Sequence, residues 1–230
     1  MSDIRRALHS WVEDAEAFGI EDVVCPASAT PEVGVGAEAE ASAPSLAAIA
    51  EEVAACTLCG LSETRTRVVP GQGDAGARIM FVGEAPGADE DRQGLAFVGR
   101  AGQLLTKMIV AMGFDREEVF IANVLKCRPP ANRDPAPAEV ACCLPFLKRQ
   151  IALIEPEILV ALGGHAMKNL LQTEASVGRM RGRVHDYDGT PLVVTYHPAF
   201  LLRSPDMKRA AWEDLQLVLR TLGLTPPARD

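Results

Sequence analysis

Four short apolar runs, each followed by turn residues and then by apolar residues at helical spacing, constrain this chain more than any other feature. They are Arg78 to Val82 (RIMFV), Glu118 to Leu125 (EVFIANVL), Ile158 to Leu162 (ILVAL) and Leu192 to Tyr196 (LVVTY), and all read as strands. Between and after them, residues 101–112, 138–154, the stretch beyond Gly163-Gly164-His165, and 205–222 read as helices, and a helix capped by Ser45 precedes them over 45–55. Gly71 to Gly76 reads as a turn and Cys127 to Pro137 as a Pro-rich loop. Strands that alternate with helices imply a mostly parallel sheet covered on both faces. The expectation is therefore an α/β fold: a three-layer α/β/α arrangement around a central, mostly parallel four-stranded sheet.

In open sheets of this kind ligands collect at the carboxyl ends of the strands, where the chain leaves a rigid element. Four polar residues stand at those ends: Glu84 after the first strand, Asn123 within the end of the second, His165 after the third and His197 after the last. His165 is the weakest of them, since Gly-Gly-His before a helix is explained by a tight turn and capping alone. The stretch from Gly83 to Leu105 (GEAPGADEDRQGLAFVGRAGQLL) sets turn-forming glycines, a dense acid cluster and Phe97 between a strand and a helix. It reads as the floor of an active site.

At 230 residues, 48% hydrophobic and 23% charged, the chain is long enough for one sizeable core. Residues 1–45 hold nine acids and two bases, so they carry −7 of the formal charge of −8 and leave the body near neutral. The bases of the body are bunched at Arg65/Arg67, Lys126/Arg128/Arg133, Arg179/Arg181/Arg183 and Arg203/Lys208/Arg209, which could line a phosphate-binding face, although a solvated charged surface is the commoner reading of such clusters taken alone. Ile4, Leu8, Trp11, Val12 and Ala15 share one face of an expected helix over 1–20, and that face needs a partner, on this chain or on another protein. Residues 21–44, rich in Ala, Pro, Glu, Ser and Gly, read as a disordered acidic linker. The globular domain is expected over 45–223, with a tail over 224–230. No run approaches the ~20 apolar residues that cross a bilayer and no signal core follows the N-terminus, so the expectation is a cytoplasmic protein without a membrane partner.

Cys56 and Cys59 form C-x-x-C, and Cys127 and Cys143 follow far along the chain. Where thiols stay reduced, a tight C-x-x-C points to metal or redox chemistry sooner than to disulfides. Four thiolates suit tetrahedral zinc or an iron-sulfur cluster, and the spacing does not choose between them. Cys142 rivals Cys143 as the fourth ligand, and counting does not settle which it is.

GEAPGADED (83–91), the GLAFVGRAGQLL that follows, NVLKCRPPANRDP (123–135) and HPAFLLRSP (197–205), together with the four cysteines, resemble the family 4 uracil-DNA glycosylases, the iron-sulfur type. The resemblance spans roughly residues 46–222. It implies a 4Fe-4S cluster and removal of uracil from DNA. The leading reading is an enzyme that acts on single- or double-stranded DNA and leaves an abasic site, and a monomer is expected. By resemblance the cysteine that precedes Leu144-Pro145-Phe146-Leu147 is the ligand, which selects Cys143. By resemblance too, Phe97 stacks on the uracil and Asn123 reads its O4 and N3–H edge.

The residues suit that chemistry. A glycosylase must flip the base into a pocket, stack a ring on it and hydrogen-bond its edge. Breaking the C1'–N1 bond makes the sugar oxocarbenium-like and places negative charge on uracil O2. His197 is the expected donor to O2. Better-known uracil glycosylases carry an aspartate in the equivalent of GEAPG where this chain has Ala85, so Glu84 and Glu90 come first as candidates for water or cation handling, with Asp91 behind them. Glu84 and Pro86 to Gly87 would stand beside the uracil 5-position, and Gly87 marks close approach of the nucleotide. In Leu201-Leu202-Arg203 an apolar residue, Leu202, would fill the gap left in the stack while Arg203 holds phosphate. Arg65, Arg67 and Arg128, beside the cysteines, would bind DNA, with the cluster holding their loops rather than carrying electrons. A noncatalytic iron-sulfur or zinc module that binds nucleic acid is the alternative. A relative that traps the sugar through a histidine on a basic insertion is disfavoured, because RPPANRDP has neither.

Overall fold

The computed structural model describes residues 44–227, and the expected N-terminal helix, Cys25 and nearly all of the acidic linker lie outside them. Helices α1 (Leu46–Ala55) and α2 (Leu61–Thr64) come first, then strands β1 (Gln72–Gly73) and β2 (Ile79–Gly83). Helices α3 (Ala88–Gln93) and α4 (Arg100–Ala111) lead to β3 (Phe120–Asn123), and α5 (Pro137–Ile154) leads to β4 (Ile158–Leu162). Then come α6 (Gly164–Leu171), α7 (Val177–Met180), β5 (Val184–Tyr187), β6 (Thr190–Thr195), α8 (Pro198–Arg203) and α9 (Lys208–Thr221). Ser45 caps α1, its side chain accepting the Ala48 amide at 3.1 Å.

The sheet runs β1-β3-β2-β4-β6-β5. Its four central strands, β3, β2, β4 and β6, are parallel, as expected. The count of four is corrected to six, because β1 and β5 add an antiparallel edge on either side. β1 is too short to leave a pattern. The β5–β6 hairpin did leave one: Asp188-Gly189 links the strands with φ of 49° and 87°, the paired left-handed conformation that Asp-Gly favours in a two-residue turn.

All five residues of β2 and of β4 are buried, since helices cover both faces of the sheet. Successive side chains divide between two cores. Ile79, Phe81, Ile121, Ile158 and Val160 pack on one face against Leu105 and Ile109 of α4 and Leu215, Val218 and Leu219 of α9. Met80, Val82, Ala122, Leu159 and Ala161 pack on the other against Leu147 and Ile151 of α5 and Met167 and Leu170 of α6. The chain thus leaves β2 for β3 by one face and β3 for β4 by the other. That reversal opens a crevice at the carboxyl end of β2. Leu224 continues the packing of the first core beyond residue 223, its amide bonding the Leu219 carbonyl at 2.8 Å. Among the described residues no helix is long and apolar enough to cross a membrane.

Two expected loops are helical. Part of the acid cluster forms α3, which Gly94 ends at φ 77°, and Leu201-Leu202-Arg203 closes α8 instead of forming an open loop. The closing helix starts at Lys208, after a 3-10 turn over Pro205–Met207.

Candidate active site

A cleft of about 450 Å³ lies at the carboxyl edge of the sheet, and Glu84, Asn123 and His197 all line it with Phe97. Asn123 ends β3 directly beside Gly83, the last residue of β2. A Cβ on Gly83 would stand 2.4 Å from Asn123 Oδ1 and 2.5 Å from Phe97 Cζ, so only glycine lets both side chains reach the same floor. Asn123 is 1% exposed, and its Oδ1 has no hydrogen-bond partner among the described residues. A buried acceptor left unpaired costs about 1–3 kcal/mol, which is the mark of an atom kept for a ligand.

Phe97 has a φ of 52°, which is uncommon for an aromatic residue and persists only where the surroundings impose it. They do so here. The Ala96 amide donates to Gln72 Oε1 at 3.1 Å and its carbonyl accepts Arg116 Nη2 at 2.5 Å. Glu90 Oε1 accepts the amides of Val98 and Gly99 at 2.9 and 3.0 Å, while its Oε2 accepts that of Gly87 at 3.1 Å. Behind the ring, the Phe97 carbonyl presses on α4 where a Cβ on Gly102 would lie 1.8 Å away. The Phe97 ring faces that of His197 with centroids 5.6 Å apart.

His197 stands at the N-terminus of α8, where its Nδ1 accepts the Ala199 amide at 3.1 Å. Since Nδ1 accepts, the neutral ring carries its proton on Nε2. Burial pushes the His197 pKa down to about 4, the Arg203 guanidinium adds to this, and Glu90 opposes it. The site therefore holds a neutral imidazole whose Nε2–H meets no partner among the described residues, a ring to stack on, and an amide with an idle acceptor. That set fits a flat heterocycle bearing oxygen acceptors and an N–H edge. Residues 70–216 match the family model for the uracil DNA glycosylase superfamily.

The chain belongs to that superfamily. It is 46% identical to the type-4 uracil-DNA glycosylase of Sulfurisphaera tokodaii over 191 residues, 79% of this chain and 86% of the relative. It is 45% identical to the type-4 enzyme of Thermotoga maritima over 172 residues, 73% and 90% of the two chains. Identity to the type-5 uracil-DNA glycosylase of Pyrobaculum aerophilum is 32%, over 67% and 74%.

In this glycosylase the acid cluster has structural partners that sequence reading did not find. Asp91, buried, accepts the Thr66 amide at 2.9 Å, and Asp89 pairs with Arg92. Glu84 lines the cleft, and burial raises its carboxyl above the ordinary carboxylate range. His165 lies beside it with Asp134, and the ligand atoms of the three are all within 4.8 Å of one another. Phe200 and Asn132, which no spacing in the sequence singled out, line the cleft as well, as does Arg133 of the Lys126/Arg128/Arg133 cluster.

Cys56, Cys59, Cys127, Cys142 and Cys143 line a second pocket, walled by Val53, Leu61, Leu125 and Phe146. Burial pushes the Cys143 thiol up to about 11, although the Lys126 amide donates to its Sγ at 3.2 Å. Cys142 points its sulfur at the Leu58 carbonyl, 3.4 Å away.

The expected DNA contacts divide. Leu202 is 43% exposed, and Arg67 and Arg203 are exposed with it. Arg128, half-buried, bonds Asn132 Oδ1 at 2.8 Å. Arg65 is placed otherwise: its guanidinium donates to Cys127 Sγ at 3.2 Å and to the Ala54 carbonyl at 3.0 Å, which turns it toward the thiols. Lys126, counted among the surface bases, is 1% exposed, its ammonium donating to the Asn123 carbonyl at 2.9 Å and Gln150 Oε1 at 2.6 Å.

Proposed function

We propose that this glycosylase hydrolyses the bond between uracil and deoxyribose in DNA after flipping the nucleotide into the cleft. The unpaired, buried Oδ1 of Asn123 beside the free N–H of His197 carries this reading. Asn123 Oδ1 would accept uracil N3–H and its amide nitrogen would donate to O4, whereas cytosine offers an acceptor at N3 and a donor at C4. Phe97 would stack on the base, in a position that Glu90 fixes through the amides on either side. As the C1'–N1 bond breaks, its electron pair leaves on uracil and charge grows on O2, where His197 Nε2–H donates. Glu84 would stabilise the sugar cation and take the proton of the water that adds to C1'. With three amides on its carboxylate, Glu90 serves as the holder of the floor. Leu202 would enter the helix, and Arg203, Arg67 and Arg128 would hold phosphates.

The second pocket supports a 4Fe-4S cluster on Cys56, Cys59, Cys127 and Cys143 better than a zinc ion. Zinc with Zn–S near 2.3 Å draws its four sulfurs to roughly 3.8 Å from one another. Among the described residues no three of the thiols bring their sulfurs within 4.8 Å of one another, the spacing at which the oxygens of Glu84 and Asp134 and the nitrogen of His165 do gather. A bound cluster would supply iron–thiolate bonds that cross-link α1, the end of β3 and α5. Arg65 and the Lys126 amide already donate to its sulfurs. Its role here is to hold loops, since Cys127 lies four residues from Asn123. The purified protein is expected to be brown and to hold about four irons per chain. Cys143→Ser is expected to lose iron and Cys142→Ser to keep it, measured by iron assay and visible absorption; the reverse result transfers the ligand role to Cys142.

The deciding experiment is release of free uracil from a uracil-containing oligonucleotide, with an abasic strand as coproduct. Binding of that oligonucleotide without release would leave a noncatalytic module.

A further inference from the structure

We propose that His165 is a positioning residue for Glu84: it holds that carboxylate at the mouth of the cleft and keeps it ionised. The inference rests on Glu84 acting as the anion that faces the sugar. Glu84 needs such a neighbour. Its main chain is fixed by the Leu125 amide, which donates to its carbonyl at 3.0 Å, so the side chain starts from a set point at the cleft. Burial works against its charge, and so does the Asp134 carboxylate, while His165 works in its favour.

The geometry points to His165 as the group that reconciles the two acids. Its Nε2 lies 3.9 Å from Glu84 Oε2 and 3.5 Å from Asp134 Oδ1. The ring is carried at the start of α6, whose next two residues, Ala166 and Met167, are buried against the sheet. The Asn169 side chain ties down the His165 carbonyl at 2.8 Å. Other charges near this mouth are engaged elsewhere. Arg133 is clamped on Glu139, Lys168 on Glu174, and Glu90 on three backbone amides. His197 is neutral, and Arg203 is exposed on α8, which forms a different part of the cleft wall. Whenever it carries a second proton, His165 between Glu84 and Asp134 is one cation shared by two anions. Without it, like charges leave one carboxylate protonated at a higher pH.

The test is the acid side of the pH profile for single-turnover uracil release by the full chain with its metal centre intact. Two unit charges about 4 Å apart in near-aqueous surroundings interact enough to change an equilibrium about fivefold. In His165→Ala, the rate on the acid limb relative to the plateau rate is therefore expected to fall by up to about fivefold, because that limb moves to higher pH. His165→Lys, which keeps a cation there, is expected to restore the wild-type ratio. A ratio that does not move in His165→Ala, or that falls equally in both variants, overturns the proposal. A second readout does not depend on catalysis: the ¹³C titration of the Glu84 carboxyl should move to higher pH in His165→Ala and return in His165→Lys. If that titration moves as expected while wild type releases no uracil, the coupling stands and the reading of the activity falls. If uracil is released and the titration is fixed, the coupling falls alone.

Discussion

His197→Asn is expected to release uracil about 10²- to 10³-fold more slowly than wild type while folding normally, the cost of removing one preorganised donor to a developing oxyanion. Asparagine separates catalysis from folding better than alanine does. His197 caps α8 by accepting the Ala199 amide, and asparagine is among the best capping residues, so the helix keeps its start while the N–H aimed at O2 is lost. The neutral state of the ring sets a second expectation. A folded pKa of about 4 against an ordinary value of 6.5 means that, as pH falls through that interval, the unfolded chain takes up a proton that the folded one refuses. The ring therefore costs stability on the acid side, and nothing above about pH 7. Between about pH 7 and pH 5 the melting temperature of His197→Asn should fall less than that of wild type. Release at a wild-type rate by His197→Asn would remove the histidine from the reaction.

Gly83→Ala is expected to abolish measurable uracil release with the iron content unchanged. The added methyl would stand 2.4 Å from Asn123 Oδ1 and 2.5 Å from Phe97 Cζ, so the amide that reads the base edge and the ring that stacks on it must both move. The backbone of neither is free to follow, so the side chains are displaced into the cleft that the base must occupy. Asn123 is held by its strand pairing and by Lys126 on its carbonyl, and Phe97 by the bonds on Ala96, Val98 and Gly99. Overpacking of this kind costs about 1–3 kcal/mol of stability, readable as a lower melting temperature. A displacement of the reading groups by about 1 Å costs far more in rate than in stability. Gly76→Ala, whose new methyl would meet only Asp74 Oδ1 at 3.9 Å, serves as the neutral comparison. If Gly83→Ala cleaved as wild type does, the cleft floor would not be the site of base recognition.

These two residues differ in how they were legible. His197 could be found from its place after a strand, because the carboxyl end of a parallel strand is where side chains face a crevice. Gly83 was visible only as a turn glycine, and the reason for it, two side chains converging from β3 and from the loop after α3, belongs to packing. The acid cluster misled in the same way. Four acids on a DNA-facing loop looked like a reservoir of catalytic groups, yet Asp91 and Glu90 spend their oxygens on backbone amides of the segments at 66–67 and 87–99. Arg65 and Lys126 looked like surface cations and turn inward. By contrast, β5 was legible and passed over: Asp188-Gly189 is a two-residue hairpin signal, yet four strands were expected where the sheet has six.

The chain by itself determined the alternation of strands and helices, the four central parallel strands, the residues at their carboxyl ends and the cysteines that meet in one pocket. Those follow from periodicity and from position along an element, which neighbours in sequence dictate. Only the tertiary structure decided which polar groups have already been taken up by the protein and which are left for a ligand. Arg65 finds Cys127 across 62 residues and Gln150 finds the Pro70 carbonyl across 80, and no local pattern records such pairings. The oxygen of Asn123 is meaningful because no described partner reaches it, a property of the whole fold and not of the segment that contains it.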